Sequence, residues 1–274
     1  GDPGSLSPEV QFERGDVNDR PKLWTLLQEV DCVYHLAARV LVPESILYPR
    51  EYNHVNVGGT VTLMEAMRDV GVRRVVLISS GAVYGEQSEQ PVKESAIPNP
   101  KSPYAVSKLA AEAYVRTIGK LWGIETVCLR VFNTYGPGQH IPATHAPVIP
   151  NFLRQAVLDG TLVVHGNGNQ TRDFVYLDDV ANAMVRAATA SDVDQSIINI
   201  GSGIETSIRE LVQMVLDETG MEPEVIYNQR VDSGSDRLCA DITLAKEKLG
   251  YQPATSLEAG LKLTLQRDPR LKKS

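Results

Sequence analysis

Tyr104 and Lys108 lie four positions apart in the stretch Ser102 to Trp122, whose apolar spacing predicts a helix, so the two side chains project from one face a single turn apart. Upstream, the run Val75-Val76-Leu77-Ile78 ends in Ser79 and Ser80. It reads as a buried parallel strand whose hydroxyls emerge at the carboxyl end, where open α/β sheets hold their ligands. A phenol titrates near pH ~10 and is a poor base at neutrality, but a neighbouring ammonium favours its phenolate. Ser80, Tyr104 and Lys108 brought to one crevice would exchange a proton with a substrate alcohol. Taken alone, a Tyr and a Lys at this spacing suit a solvated surface pair equally well.

The elements that must position these groups alternate between strand and helix. Val10 to Arg14 alternates as a strand does, Asn18 or Asp19 can cap a helix with Pro21 in its first turn, and Asp31 to Leu36 is the next strand. Apolar residues at helical spacing run from about Arg50 to Asp69, with Gly71 as the stop. Asn56 sits inside that helix although Asn is a poor helix former, which points either to a ligand or to a buried hydrogen bond. The loop Glu86 to Pro100 is polar and expected to be able to move over the site. Ile124 to Val131 is a further buried strand, and in its exit loop, Phe132 to Gly138, the Asn133 amide can meet a sugar or a phosphate, or simply shape a turn.

Past Pro147 the elements shorten: helix Val148 to Leu158, strands Thr161 to His165 and Phe174 to Tyr176, and helix Leu177 to Ala188. Residues 1–146 are therefore expected to form one domain and 147–274 mainly a smaller lobe, with some chain returning to the first. Arg172 follows the turn Gly166-Asn167-Gly168-Asn169, where a guanidinium can fork onto a diphosphate or pair with Asp173 or Asp179. Gly201-Ser202-Gly203-Ile204 superficially resembles a phosphate loop, but it lacks the third glycine and the Lys-Ser/Thr pair, and that reading is rejected.

Composition narrows the classes. The 274 residues are 42% hydrophobic with a net charge of -7, which suits a globular α/β chain and argues against a polyanion binder, so no nucleic-acid partner is expected. No apolar run approaches the ~18 residues needed to span a bilayer. Cys32, Cys128 and Cys239 are single and widely spaced, which predicts reduced packing residues, no metal site and a cytoplasmic protein.

Ser80, Tyr104 and Lys108 resemble the catalytic triad of the short-chain dehydrogenase/reductase superfamily, in its extended branch of NAD-dependent nucleotide-sugar epimerases and dehydratases. The likeness runs through Gly15-Asp16-Val17, His35-Leu36-Ala37-Ala38, Asn56-Val57-Gly58-Gly59-Thr60, Arg130-Val131-Phe132-Asn133 and Arg172-Asp173-Phe174-Val175-Tyr176. It implies a Rossmann-type doubly wound sheet with a smaller C-terminal α/β substrate lobe. It further implies NAD held by Asp16, Val17, Leu36, Ala37, Ala38, Asn56, Tyr104, Lys108 and Phe132, and a UDP-hexose held by Ser80, Asn133, Arg172 and Arg237, with Arg230 the alternative to the last.

The resemblance implies a homodimer paired through the Ser102 helix and the one before it. The chemistry most like it is that of UDP-glucose 4-epimerase: Tyr104 takes the 4-hydroxyl proton, a transient 4-keto sugar forms, and hydride returns to its other face. Family dehydratases carry an Asp-Glu pair directly after the catalytic hydroxyl, where this chain has Gly81-Ala82. Decarboxylation, ketoreduction and a catalytically dead, nucleotide-binding relative are the other readings. The glycine turn that cradles the pyrophosphate is absent from the sequence, and by the family's order Val10 to Arg14 is a third strand. A β-α-β unit ahead of Gly1 is therefore expected, and residues 1–274 alone are expected to hold no NAD.

Overall fold

In the computed structural model, residues 4, 6–142, 146–229 and 236–272 are described. Regular structure opens with α1 (Arg20–Leu26), where the Asp19 carboxylate accepts the Lys22 N–H at 3.1 Å and Pro21 occupies the first turn. β1 (Cys32–His35) leads through α2 (Val42–Leu47) and α3 (Pro49–Tyr52) into a π-helical turn, Asn53–Gly58, that continues as α4 (Gly59–Val70). Gly71 ends α4 at φ 90°, a left-handed conformation that glycine adopts without steric cost. Next come β2 (Arg74–Ser80), α5 (Pro103–Trp122), β3 (Glu125–Val131), β4 (Asn133–Tyr135), α6 (Val148–Val157), β5 (Leu162–His165), β6 (Thr171–Arg172) and β7 (Phe174–Tyr176). The chain finishes with α7 (Leu177–Thr189), β8 (Ser196–Ile200), β9 (Thr206–Ser207), α8 (Ile208–Thr219), β10 (Val225–Asn228), α9 (Thr243–Leu249) and α10 (Leu257–Arg267).

The central sheet has the order β1-β2-β3-β8, every pair parallel, with Leu77 of β2 opposite His35 on one side and Cys128 on the other. Val75, Val76, Leu77, Val127, Cys128, Leu129 and Ile198 are buried on both faces of this sheet. Such strands require a helical layer on each side. On one face Leu63, Met64 and Met67 of α4 and Ala111 and Val115 of α5 complete the core; on the other Val180, Ala183 and Ala187 of α7 and Ala245 and Leu249 of α9 do so. The later segments α7, β8 and α9 thus return to the first sheet. A second core joins Phe152 and Leu153 of α6, Leu162 and Val164 of β5, Leu211 and Val215 of α8 and Leu261 of α10.

Two expectations are corrected. Val10 to Arg14 is not a strand: among the described residues it has no ladder partner, and Val10 and Phe12 are exposed at 51% and 52%. Alternation alone does not make a strand without a neighbour to take its N–H and C=O groups. The loop Glu86 to Pro100 is bolted down. Val92 N–H donates to Cys239 O at 2.8 Å, Asp241 N–H donates to Val92 O at 2.9 Å, and Asn99 N–H donates to Val83 O at 3.1 Å. Gln90 adds a clamp, its amide donating to Arg237 O at 3.3 Å and accepting Cys239 N–H at 2.9 Å. Among the described residues no helix is long and apolar enough to cross a membrane.

Candidate active site

β2 ends in Ser80, whose hydroxyl accepts Ala82 N–H at 3.2 Å and so caps the short turn Gly81–Tyr84 at the carboxyl edge of the sheet. Across from it α5, capped by Ser102 with Pro103 at its start, carries Tyr104 and Lys108 inward on one face, and both are buried. Burial pushes the Tyr104 phenol above its ordinary range, and the Ser80 hydroxyl beside it pulls in the opposite direction. Lys108 donates through Nζ to Ile78 O at 2.8 Å, and burial lowers it to about 8 against the opposing pull of Glu112. The three groups therefore meet as the spacing predicted, with one correction: Lys108 is turned to the strand carbonyl and is not among the causes that set the Tyr104 pKa, so the phenol of the protein alone is neutral.

Asn56 performs a side-chain task that the sequence left open. Its Oδ1 accepts Arg39 N–H at 2.8 Å, and its Nδ2 donates to Arg39 O at 3.0 Å and to Ser107 Oγ at 2.9 Å. Ser107 in turn donates to Tyr104 O at 2.7 Å. The amide expected to touch a cofactor is thus spent as a strut that fixes the Ala37-Ala38-Arg39 turn against α5, and the π-helical turn carrying it is a feature that often accompanies function.

His35, at the end of β1, was singled out only as part of a motif. Thr60 donates its hydroxyl to Asn56 O at 2.6 Å, so its oxygen accepts from His35 Nε2 at 2.8 Å. Burial, with a smaller contribution from the Lys108 charge, lowers His35 to about 4. Between pH ~6.5 and the folded value the unfolded chain binds a proton that the folded chain refuses, so stability falls on acidification by about 1.4 kcal/mol per pH unit from this group. Urea denaturation at pH 6.5 and pH 5 should show about 1.6 kcal/mol less acid destabilisation in His35→Gln than in the parent. Equal pH slopes in the two proteins would contradict this assignment.

Beside β1 lies a cavity of about 240 Å³ lined by Gly15, Asp16, Val17, Tyr34, Leu36 and Ala37. The Asp16 carboxylate, held below its usual range by Asn18 N–H at 2.8 Å, presents an exposed acceptor there. Val17 packs so closely on Gly59 that an added Cβ would stand 2.3 Å from its Cγ1, which locks the Asp16 turn onto α4. Glu13 and Lys22 also line this cavity, whose apolar wall and exposed Asp16 carboxylate suit an adenine with its exocyclic amine. Ala38 is half-buried in the strut described above, and Phe132, buried, has its ring tilted 38° to that of Tyr84 with centroids 6.3 Å apart and packs against Gly81.

A second cavity, of about 330 Å³, opens against the second core and is lined by Asn133, Asn151, Phe152, His165, Gln170 and Arg172, among others. Arg172 is half-buried on β6 and donates through Nη1 to Thr171 O at 2.7 Å. Asn133 donates through Nδ2 to Asp173 O at 3.2 Å. Arg237 lies apart from that lining: its guanidinium forks onto Glu205 at 2.7 and 2.6 Å. The sequence gave no warning of this partner, which lies 32 positions away. Arg230 falls outside the described residues.

The glycine turn after β8 does bind an anion, and it is the chain's own. Asp173, fully buried, accepts from Ser202 N at 2.7 Å, Ser202 Oγ at 2.7 Å, Gly203 N at 3.0 Å and Ala240 N at 3.1 Å. A Cβ on Gly201 would stand 2.4 Å from that carboxylate, so only glycine fits. The rejected phosphate-loop reading is therefore replaced by an internal carboxylate that ties the second half of the chain to β6 and β7.

A half-buried Ser80 beside buried Tyr104 and Lys108 at the carboxyl edge of a parallel sheet is an arrangement suited to proton exchange with a substrate alcohol next to a nucleotide cofactor. The chain belongs to the NAD dependent epimerase/dehydratase family, whose profile matches residues 2–201. It is 38% identical over 265 residues to the UDP-glucose 4-epimerase of Mycolicibacterium smegmatis, covering 95% of this chain and 83% of that one. The crystal structure of UDP-glucose 4-epimerase with UDP-glucose from Thermotoga maritima superposes with a TM-score of 0.92 at 31% identity, covering 97% of this chain and 87% of that chain. The Thermus thermophilus UDP-glucose 4-epimerase in complex with NAD matches with a TM-score of 0.88 at 30% identity and the same two coverages, 97% and 87%.

Proposed function

We propose that the protein is an NAD-dependent nucleotide-sugar epimerase that interconverts UDP-glucose and UDP-galactose through a transient 4-keto sugar. The observation that carries this reading is the meeting of the half-buried Ser80 hydroxyl with Tyr104, which is buried together with Lys108 on one face of α5. NAD, when bound, supplies the hydride acceptor and donor for sugar C4 and a positive ring charge that favours the Tyr104 phenolate. The residues that would hold it are those of the Asp16 cavity together with Lys108, which has two N–H donors left beyond its bond to Ile78 O.

Tyr104 removes the proton of the sugar 4-hydroxyl and returns it to the 4-oxygen when the opposite face is reduced. Ser80 donates to that oxygen and fixes its position between the two half-reactions. Arg172 and Asn133, on the second cavity, hold the diphosphate and the sugar. The Val106, Tyr114 and Leu121 side chains of α5 are exposed at 53%, 47% and 73%, an apolar face available for pairing with a second copy.

Dehydration is the nearest rival and requires an acid and a base directly after the catalytic hydroxyl. Gly81 occupies the first of those positions, and a Cβ there would stand 3.1 Å from the Phe132 ring. Neither Gly81 nor Ala82 carries the acid or the base that dehydration needs. A dead, nucleotide-binding relative has no need of the complete Ser-Tyr-Lys group. Incubation of the enzyme with NAD and UDP-glucose distinguishes the three readings: UDP-galactose supports epimerisation, a 4-keto-6-deoxy product supports dehydration, and unchanged substrate supports the dead relative.

A further inference from the structure

Below the site lies a buried charge pair that the reaction as described does not use. Glu112 and Arg130 are each 2% exposed and form a two-point ion pair, Nε to Oε1 at 3.0 Å and Nη2 to Oε2 at 2.7 Å. The Ser79 hydroxyl donates a short hydrogen bond to the same Oε1, and the Arg130 guanidinium stands 4.7 Å from the centre of the Tyr84 ring. Burying two charges costs more than filling the same volume with apolar side chains, so packing alone does not account for the pair.

Its placement does. Tyr104, Lys108 and Glu112 occupy successive turns of one face of α5, and all three are buried. Strand β2 meets that face with three consecutive residues: the Ile78 carbonyl takes the Lys108 ammonium, Ser79 binds Glu112, and the Ser80 hydroxyl lies by Tyr104. We infer that Glu112, held by Ser79 and Arg130, is a positioning residue for the proposed reaction, setting a carboxylate one helical turn below the Lys108 ammonium and keeping the strand that carries Ser80 in register with the helix that carries Tyr104.

The groups around this pair are few. Lys108 feels Glu112 from its own helix and faces His35 of β1. Glu112 acts on Cys128 of β3 alongside Arg116 and Arg130. The buried positions of α4 are Gly59, Thr60, Leu63, Met64, Ala66 and Met67, without a charge among them. Glu112 is thus the one group among these that favours the charged form of Lys108.

The inference rests on the reading of the site as an epimerase, and the test separates the two. In Glu112→Gln the shape is kept and the charge lost, so the ammonium becomes easier to deprotonate. The alkaline limb of the kcat profile should move to lower pH by about one unit, with KM changed less than about twofold and kcat at pH 6 within about threefold of the parent. The Lys108 side-chain nitrogen, followed by 15N NMR and assigned with Lys108→Arg, should titrate lower by the same amount. The double variant Glu112→Gln/Arg130→Met carries the same expectation without an unpaired buried cation, for the case in which the single variant does not fold. An unmoved alkaline limb and an unmoved Lys108 titration in a folded variant overturn the inference. Absence of epimerase activity in the parent overturns the reaction assignment instead, and the NMR titration still decides the role of Glu112.

Discussion

Tyr104→Phe is expected to lower turnover by a factor on the order of 10² or more while UDP-glucose still binds, because a positioned general acid-base group contributes about that much. The substitution removes one hydroxyl from a buried ring that packs edge-on to Tyr52 at 6.5 Å, so the shape of the crevice survives. What is lost is the proton carrier at the sugar 4-oxygen. In energetic terms a hundredfold is about 2.7 kcal/mol of transition-state stabilisation, well above the effect of altered packing at an isosteric site. Steady-state kinetics with separate kcat and KM give the answer. Near-full turnover in the variant would remove Tyr104 from the chemistry and leave Ser80 without a partner.

Arg172→Ala should weaken UDP-sugar binding by about 1.5–3 kcal/mol, the range for hydrogen bonds to charged groups, and so raise Kd roughly 10- to 150-fold. Arg172 lines the cavity beside the second core, and Asp173 next to it is locked by four donors from two other segments, so the backbone that aims Arg172 is rigid. Cofactor retention should be unaffected, since the Asp16 cavity contains none of these residues. Calorimetry with UDP reads the effect directly. An unchanged affinity would reduce Arg172 to its local bond with Thr171 O.

Much of the site was legible because its signals are local. Ser102 caps α5 and accepts Ala105 N–H at 3.2 Å, as a Ser before a Pro and an apolar helical stripe predicts, and the cap fixes which face carries Tyr104 and Lys108. The strand ending at Ser80 announced itself by its apolar run. Partners remote in sequence were not legible. Nothing in the spacing joins Asn56 to Ser107, Glu112 to Arg130 or Asp173 to Ser202 and Ala240, yet these pairings decide that Asn56 is a strut and that the glycine turn is already filled. The loop 86–100 looked free because its composition is polar, whereas its anchors at Cys239 and Asp241 lie well over a hundred positions away. The expected lowering of the Tyr104 pKa failed for a similar reason: the direction in which Lys108 points is set by the Ile78 carbonyl of another element.

The most direct test of the assignment is to incubate the full-length enzyme with NAD and UDP-glucose and follow the anomeric and C4 protons of the sugar by NMR. The arrangement of Ser80, Tyr104 and Lys108 predicts conversion to an equilibrium mixture of UDP-glucose and UDP-galactose, reached from either sugar, with no net reduction of NAD. Conversion of UDP-glucose to any product other than its C4 epimer, or accumulation of reduced cofactor in step with product, would contradict it.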